Sequence, residues 1–281
     1  MTNRRDFIET LGAAALGHAL QPRAPTPEPR APLHRLTRIG LQLYTVRRAM
    51  QADVEATLAR VAATGYTEVE FAGYFGKSPG EVRAILDRHG LAAPAAHVSM
   101  AADQWRAALD AARVIGHHYV VVSWIPAEQR QTLDAYKRMA QDFNRLAAEA
   151  RAAGLQFAYH NHDFEFVPLE GRLPFDVLLA ETDPTLVQLE MDLYWITKGG
   201  QDPLAYFARY PGRFPMVHVK DSAGAPEHRM VDVGAGTIDF RKIFARRKQA
   251  GIRHFFVEHD EPADAFASIR ASYEYLKRLE F

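Results

Sequence analysis

The chain has no cysteine and no net charge, with 34 Lys and Arg against 34 Asp and Glu. The first absence excludes disulfides, thiolate metal ligands and a cysteine nucleophile. The second removes the electrostatic basis for binding nucleic acid, which rests on neutralising phosphates. No glycine-rich turn follows the first predicted strand, where residues 43–48 read Leu-Tyr-Thr-Val-Arg-Arg. A doubly wound, nucleotide-binding sheet would carry one there. The apolar stretch 11–17 is too short to span a bilayer.

The N-terminus resembles a twin-arginine export signal. Arg4 and Arg5, with Phe7, precede the weakly apolar 11–17. A short amphipathic helix is the alternative. Residues 21–32 contain five prolines and read as an extended linker. Residues 1–35 are therefore expected to lie outside the fold. They hold five Arg and three Asp or Glu, a net +2, which leaves the remainder near −2. The expected location is periplasmic or secreted through twin-arginine translocation, with no membrane association after export.

Residues 36–281 are expected to form one domain, long enough for a substantial core. Short apolar runs at 38–43, 67–71, 91–97, 118–122, 155–160, 187–191, 215–219 and 254–258 alternate with amphipathic segments at 53–63, 78–89, 102–115, 127–153, 239–249 and 262–279. Several of these segments end at a glycine, such as Gly65, Gly90 and Gly116, which suits a left-handed helix terminus. Strands alternating with helices argue for a parallel sheet, and eight units in this length for a closed (β/α)8 TIM barrel.

The ends of the last four strands carry the chemistry: His160, Asp192, His218 and Glu258. Side chains alternate along a strand, so these residues share a face opposite Phe157, Tyr159, Val217, Val219, Phe255 and Val257. In a barrel that face converges on the mouth, and nitrogen and oxygen donors gathered there suit a divalent metal. The strand-five region also offers His162 and Glu165, and strand six offers Glu190, which can orient a ligand instead. Lys220 lies on the His218 face, where its ammonium can hold a substrate oxygen or pair with Asp192 or Glu258. His117 and His118 begin a strand and read as scaffold.

Five motifs carry a family resemblance: Ile39-Gly-Leu-Gln-Leu-Tyr-Thr-Val-Arg47, Tyr159-His-Asn-His-Asp-Phe-Glu-Phe166, Met191-Asp-Leu-Tyr-Trp195, Val217-His-Val-Lys-Asp221 and Val257-Glu-His-Asp260. Over 36–281 the chain resembles the sugar phosphate isomerase/epimerase family of the xylose isomerase-like superfamily. That resemblance implies one divalent ion (Mn, Mg, Co or Zn) bound by strands five to eight. Three of its ligands map onto Asp192, His218 and Glu258. At the first, this chain has His160 where the epimerases carry Glu, and so departs from their symmetric pair of proton-exchanging glutamates.

The expected function is a metal-dependent sugar or keto-sugar isomerase or epimerase working through an enediolate. Glu258, His162 and Lys220 are its catalytic candidates; Gln42, Tyr44, His97, Trp124 and Glu165 are the candidates for gripping substrate. On the same site, loss of a β-substituent would make it a dehydratase or a lyase eliminating 3-keto-glycosides. A metal phosphoesterase resembling endonuclease IV is the second alternative. The expected partner is a small sugar or keto-sugar; self-association into a homo-oligomer is left open.

Overall fold

The computed structural model describes residues 34–281, so the expected export signal and nearly all of the expected linker lie outside the described residues. Eight parallel strands close a barrel: β1 (Gly40–Gln42), β2 (Glu68–Phe71), β3 (Ala92–His97), β4 (Tyr119–Val122), β5 (Gln156–His160), β6 (Val187–Asp192), β7 (Met216–Val219) and β10 (His254–Val257). A two-stranded hairpin, β8 (Asp221–Ser222) with β9 (Met230–Val231), sits between the last two barrel strands. No apolar periodicity announces it. The expected (β/α)8 architecture is what the chain adopts.

Strand alternation divides the apolar residues into two layers. Phe157, Tyr159, Val217, Val219, Phe255 and Val257 join the large core between sheet and helices. Ala95, Tyr119, Val121, Ala158, Met216 and Phe256 fill the barrel. Phe256 is the plug: a Cβ on Gly40 would stand 2.5 Å from its ring, so only glycine fits opposite it. At the upstream end, Glu68 is buried between His254 Nδ1 at 2.9 Å and Arg38 at 2.8 Å.

The segment expected as one helix over 127–153 begins later, at Leu133–Ala152. The Thr132 side chain accepts from the Ala135 N–H at 3.2 Å and starts it there. That shift frees 123–132 to form the wall of the site. Helices Pro174–Glu181, Leu193–Lys198 and Pro203–Arg209 are short and carry no strong helical period. His117 is scaffold, as expected: its ring lies 2.6 Å from Ala93 O and 3.1 Å from the Tyr74 hydroxyl.

Candidate metal centre and substrate cavity

Strand register assembles the site. His160 pairs with Glu190, Asp192 with His218, and His218 with Phe256. Residues distant in sequence thereby become one layer at the downstream mouth of the barrel. His160, Asp192, His218 and Glu258 each offer a donor atom, all within 4.8 Å of one another, and all four are buried.

The spacing fits a cation. His160 Nε2 is 3.3 Å from Asp192 Oδ2, and His218 Nδ1 is 3.8 Å from that oxygen and 2.8 Å from Glu258 Oε2. Ligands about 2.1 Å from one tetrahedral ion lie roughly 3.4 Å apart. Among the described residues His218 Nδ1 has no hydrogen-bond partner despite the nearness of Glu258: the two atoms are close without being aligned on each other. Its other ring nitrogen lies 2.6 Å from Glu70 Oε2, the carboxylate backing that ligating histidines usually have. Asp192 is held as well, because its Oδ1 accepts from the backbone N–H groups of Tyr194 and Trp195 at the start of Leu193–Lys198.

Below this set lies a second group, Glu70, His97, Glu190 and His218. It is largely bonded within itself. His97 Nε2 is 3.1 Å from Glu190, and Gln42 Nε2 donates to Glu70 at 2.8 Å. We read it as the supporting layer, with His218 joining the two.

Buried charges are balanced locally. Burial disfavours a charged His218, but Glu190, Glu258 and Glu70 outweigh it and hold the ring well above the usual imidazole range. Burial would raise Glu258; Lys220 and His218 instead hold it well below the usual carboxylate range. His160 is pushed far down by burial and by the charge of His218, so it is a neutral donor suited to a metal. Lys220 is buried, 2.7 Å from Glu258 Oε2, 3.1 Å from Asp192 Oδ2 and 2.9 Å from Asp260 Oδ1. Despite burial, those three carboxylates keep it charged.

A cavity of about 870 Å³ opens above the four donors. Of the residues expected to grip substrate, Tyr44, His97 and Trp124 line it, as do the catalytic candidates His162, Lys220 and Glu258. Gln42 does not. It lies beneath, its amide holding Glu70 and its carbonyl accepting from the Tyr44 N–H at 3.0 Å. Glu165 also turns away, a correction to its expected role. Fully buried, it accepts from the Tyr159 hydroxyl and, at 2.9 Å, from the His162 N–H, and so braces the loop after β5. The ring of His162 is lowered to about 2 by burial and by neighbouring His160, which makes it a weak base.

Other wall residues were not singled out from sequence. Asp260 shares the Glu258 face, so alternation alone could have found it. Arg130, Phe164, Trp195 and Lys198 come from loops and short helices, where no periodic signal exists. Asp221, in the Val217–Asp221 motif, is structural: its carboxylate accepts from the N–H groups of Gly234, Gly236 and Ile238 and ties down the loop after β9.

A barrel with its donors at the downstream strand ends defines a class, and comparison with known proteins places the chain within it. The xylose isomerase-like TIM barrel family matches residues 46–279, and the chain belongs to that family. Two crystal structures of sugar phosphate isomerase/epimerases from Parabacteroides distasonis align over 85% and 86% of this chain and 93% and 98% of theirs, with TM-scores of 0.75 and 0.76 and 26% and 28% identity. Among curated relatives, an inosose dehydratase of Lacticaseibacillus casei is 29% identical over 153 residues, 49% of this chain and 51% of its own length. The chain thus matches about half of the length of such relatives. A zinc-bound IolI protein shares the fold at TM-score 0.67 and 15% identity.

Proposed function

We propose that the chain is a divalent-metal-dependent lyase that removes a proton beside the carbonyl of a keto-sugar or cyclic keto-polyol and expels a β-oxygen substituent. The carrying observation is that the carboxylates beside the candidate donors stand on one side; Asp163, which also lines the cavity, belongs to the loop after β5 and is paired with Lys198. Glu258 and Asp260, at the end of β10, face the cavity. The corresponding place on β5 holds neutral His160 rather than a second carboxylate. Removal and return on opposite faces needs two such groups; elimination needs one base and an acid for the departing oxygen. His160, Asp192, His218 and Glu258 would hold the cation, which supplies a Lewis acid for the carbonyl. Asp260, raised by burial against the pull of Lys220, is the stronger base of the β10 pair. The Lys220 ammonium faces negative charge developing on the substrate oxygen and can return a proton.

The substrate is read as uncharged. Of the cationic side chains lining the cavity, the two lysines are paired with carboxylates and the arginine is stacked on rings. Lys198 pairs with Asp163 at 2.9 Å, Arg130 lies over the rings of Trp124 and Phe164, and Lys220 holds three carboxylates. Among the described residues Arg130 alone lacks a carboxylate partner, one guanidinium rather than the cluster of donors that a phosphate pocket gathers. The inosose dehydratase relatives agree with elimination. Isomerisation or epimerisation is the second reading, favoured by the Parabacteroides neighbours; it requires a second proton carrier besides Glu258, for which His162 in the cavity wall is the candidate.

The test is NMR of keto-sugars and keto-inositols incubated in D₂O with the manganese-loaded chain. Loss of the α-hydrogen with appearance of an unsaturated or diketo product is expected. A deuterated epimer or isomer selects the second reading. Phosphodiester cleavage without carbohydrate turnover overturns both.

A further inference from the structure

A second cavity, of about 520 Å³, adjoins the first. The two share Val98, Ser123 and Trp124 as lining residues. It lies among the loops after β3 and β4 and the helix Leu133–Ala152. Its floor is apolar, formed by Met100, Val122, Pro126, Met139 and Leu146. One side is polar, where Arg145 donates to Asp142 at 3.1 Å. Trp124 stands between the cavities and is 53% exposed. Its ring is nevertheless placed: Phe164 and His162 meet it edge-on at 5.5 and 5.1 Å, and the Arg130 guanidinium lies 4.9 Å from its centroid. A large ring held in a fixed orientation with half its surface uncovered is a platform for another ring. The main cavity alone is near the upper end of small-molecule sites, and the metal candidates occupy only its floor.

We propose that the side cavity is a second substrate subsite for an aromatic or apolar group joined to the sugar. The substrate is then a glycoside of an aromatic or apolar alcohol, with its sugar over the four donors and its other ring against Trp124 and Met139. The inference rests on the reading of the main cavity as a carbohydrate site.

Calorimetry on the manganese-loaded full chain tests it with hexose and pentose glycosides in paired methyl and 4-nitrophenyl forms. For the sugar bound best, the nitrophenyl glycoside is expected to bind at least about tenfold tighter, the effect of burying one aromatic ring. In Met139→Arg, which fills the side cavity, and in Trp124→Ala, which removes the platform, that ratio falls towards one. Two variants at separate places guard against one failing to fold. A ratio near one in the unaltered chain, a ratio persisting in both variants, or no binding of any nitrophenyl glycoside overturns the subsite. The measurement needs no turnover. Tight binding of aryl glycosides without conversion of any keto-sugar keeps the subsite and removes the lyase, whereas conversion without aryl preference does the reverse.

Discussion

The Lys220 ammonium lies 2.7 Å from Glu258 Oε2, with both groups buried. That oxygen also stands 2.8 Å from His218 Nδ1, so one carboxylate oxygen serves a fixed cation and a candidate metal site together. A bound metal and the ammonium would repel each other across it, and Asp260, 2.9 Å from Lys220 on the other side, offers the lysine a counter-charge.

Lys220→Met is therefore expected to bind Mn²⁺ at least as tightly as the unaltered chain while losing on the order of a hundredfold or more in rate. Calorimetric titration of the apo-variant, alongside steady-state kinetics, checks both. Loss of metal binding would make the lysine a structural part of the metal site.

About one divalent ion per chain is expected, and its removal by chelator should lower the melting temperature, because a ligand bound only by the folded state stabilises it. Asp192→Ala and His218→Ala should each abolish tight binding. Elemental analysis of the purified variants decides; full occupancy in both would remove the site.

His160→Ala is expected to lose the metal, whereas Glu165→Gln should keep it, since the Glu165 oxygens are spent on Tyr159 and His162. Competition with a chromogenic chelator reads the difference. The reverse pattern would move the centre outward into the loop.

Glu165 also predicts a pH dependence. Burial raises it from 4.5 to about 7. The folded state holds its proton more tightly than the unfolded one, so this contribution is full below about pH 4.5 and is lost as pH rises through 7. At about 1.4 kcal/mol per unit, the loss is on the order of 3 kcal/mol. Urea unfolding at pH 5 and 7.5 should show a smaller decline in Glu165→Gln than in the unaltered chain; equal declines would mean that the carboxyl is ionised throughout.

Arg4→Lys with Arg5→Lys is expected to retain the protein in the cytoplasm with its N-terminal segment uncleaved, since the paired arginines are what the transport receptor reads. Fractionation of the native host reports it. Cytoplasmic location of the unaltered protein would show that 1–35 is not an export signal.

The sequence by itself determined the barrel and the facing of its strands. A period of two sends Phe157, Tyr159, Val217 and Val257 to the helices and His160, His218 and Glu258 inward, and this is a local property of each strand. Chain order then brings the four strand ends to one mouth. Tertiary structure decided what depends on distances between segments remote in sequence. Glu70, on β2, backs His218 from 148 residues away, and Lys220 finds three carboxylates at or just beyond the ends of β6 and β10. Glu165 and Asp260 are both loop acids near strand ends. Asp260 keeps the facing that alternation gives it, whereas only the packing turned Glu165 into the Tyr159 hydroxyl, because a loop side chain follows whichever buried partner its backbone path brings near. Trp124 and Met139 met at a second cavity for the same reason: the late start of the helix at Leu133 sets the wall between them, and that start is a matter of capping and packing rather than of hydrophobic period.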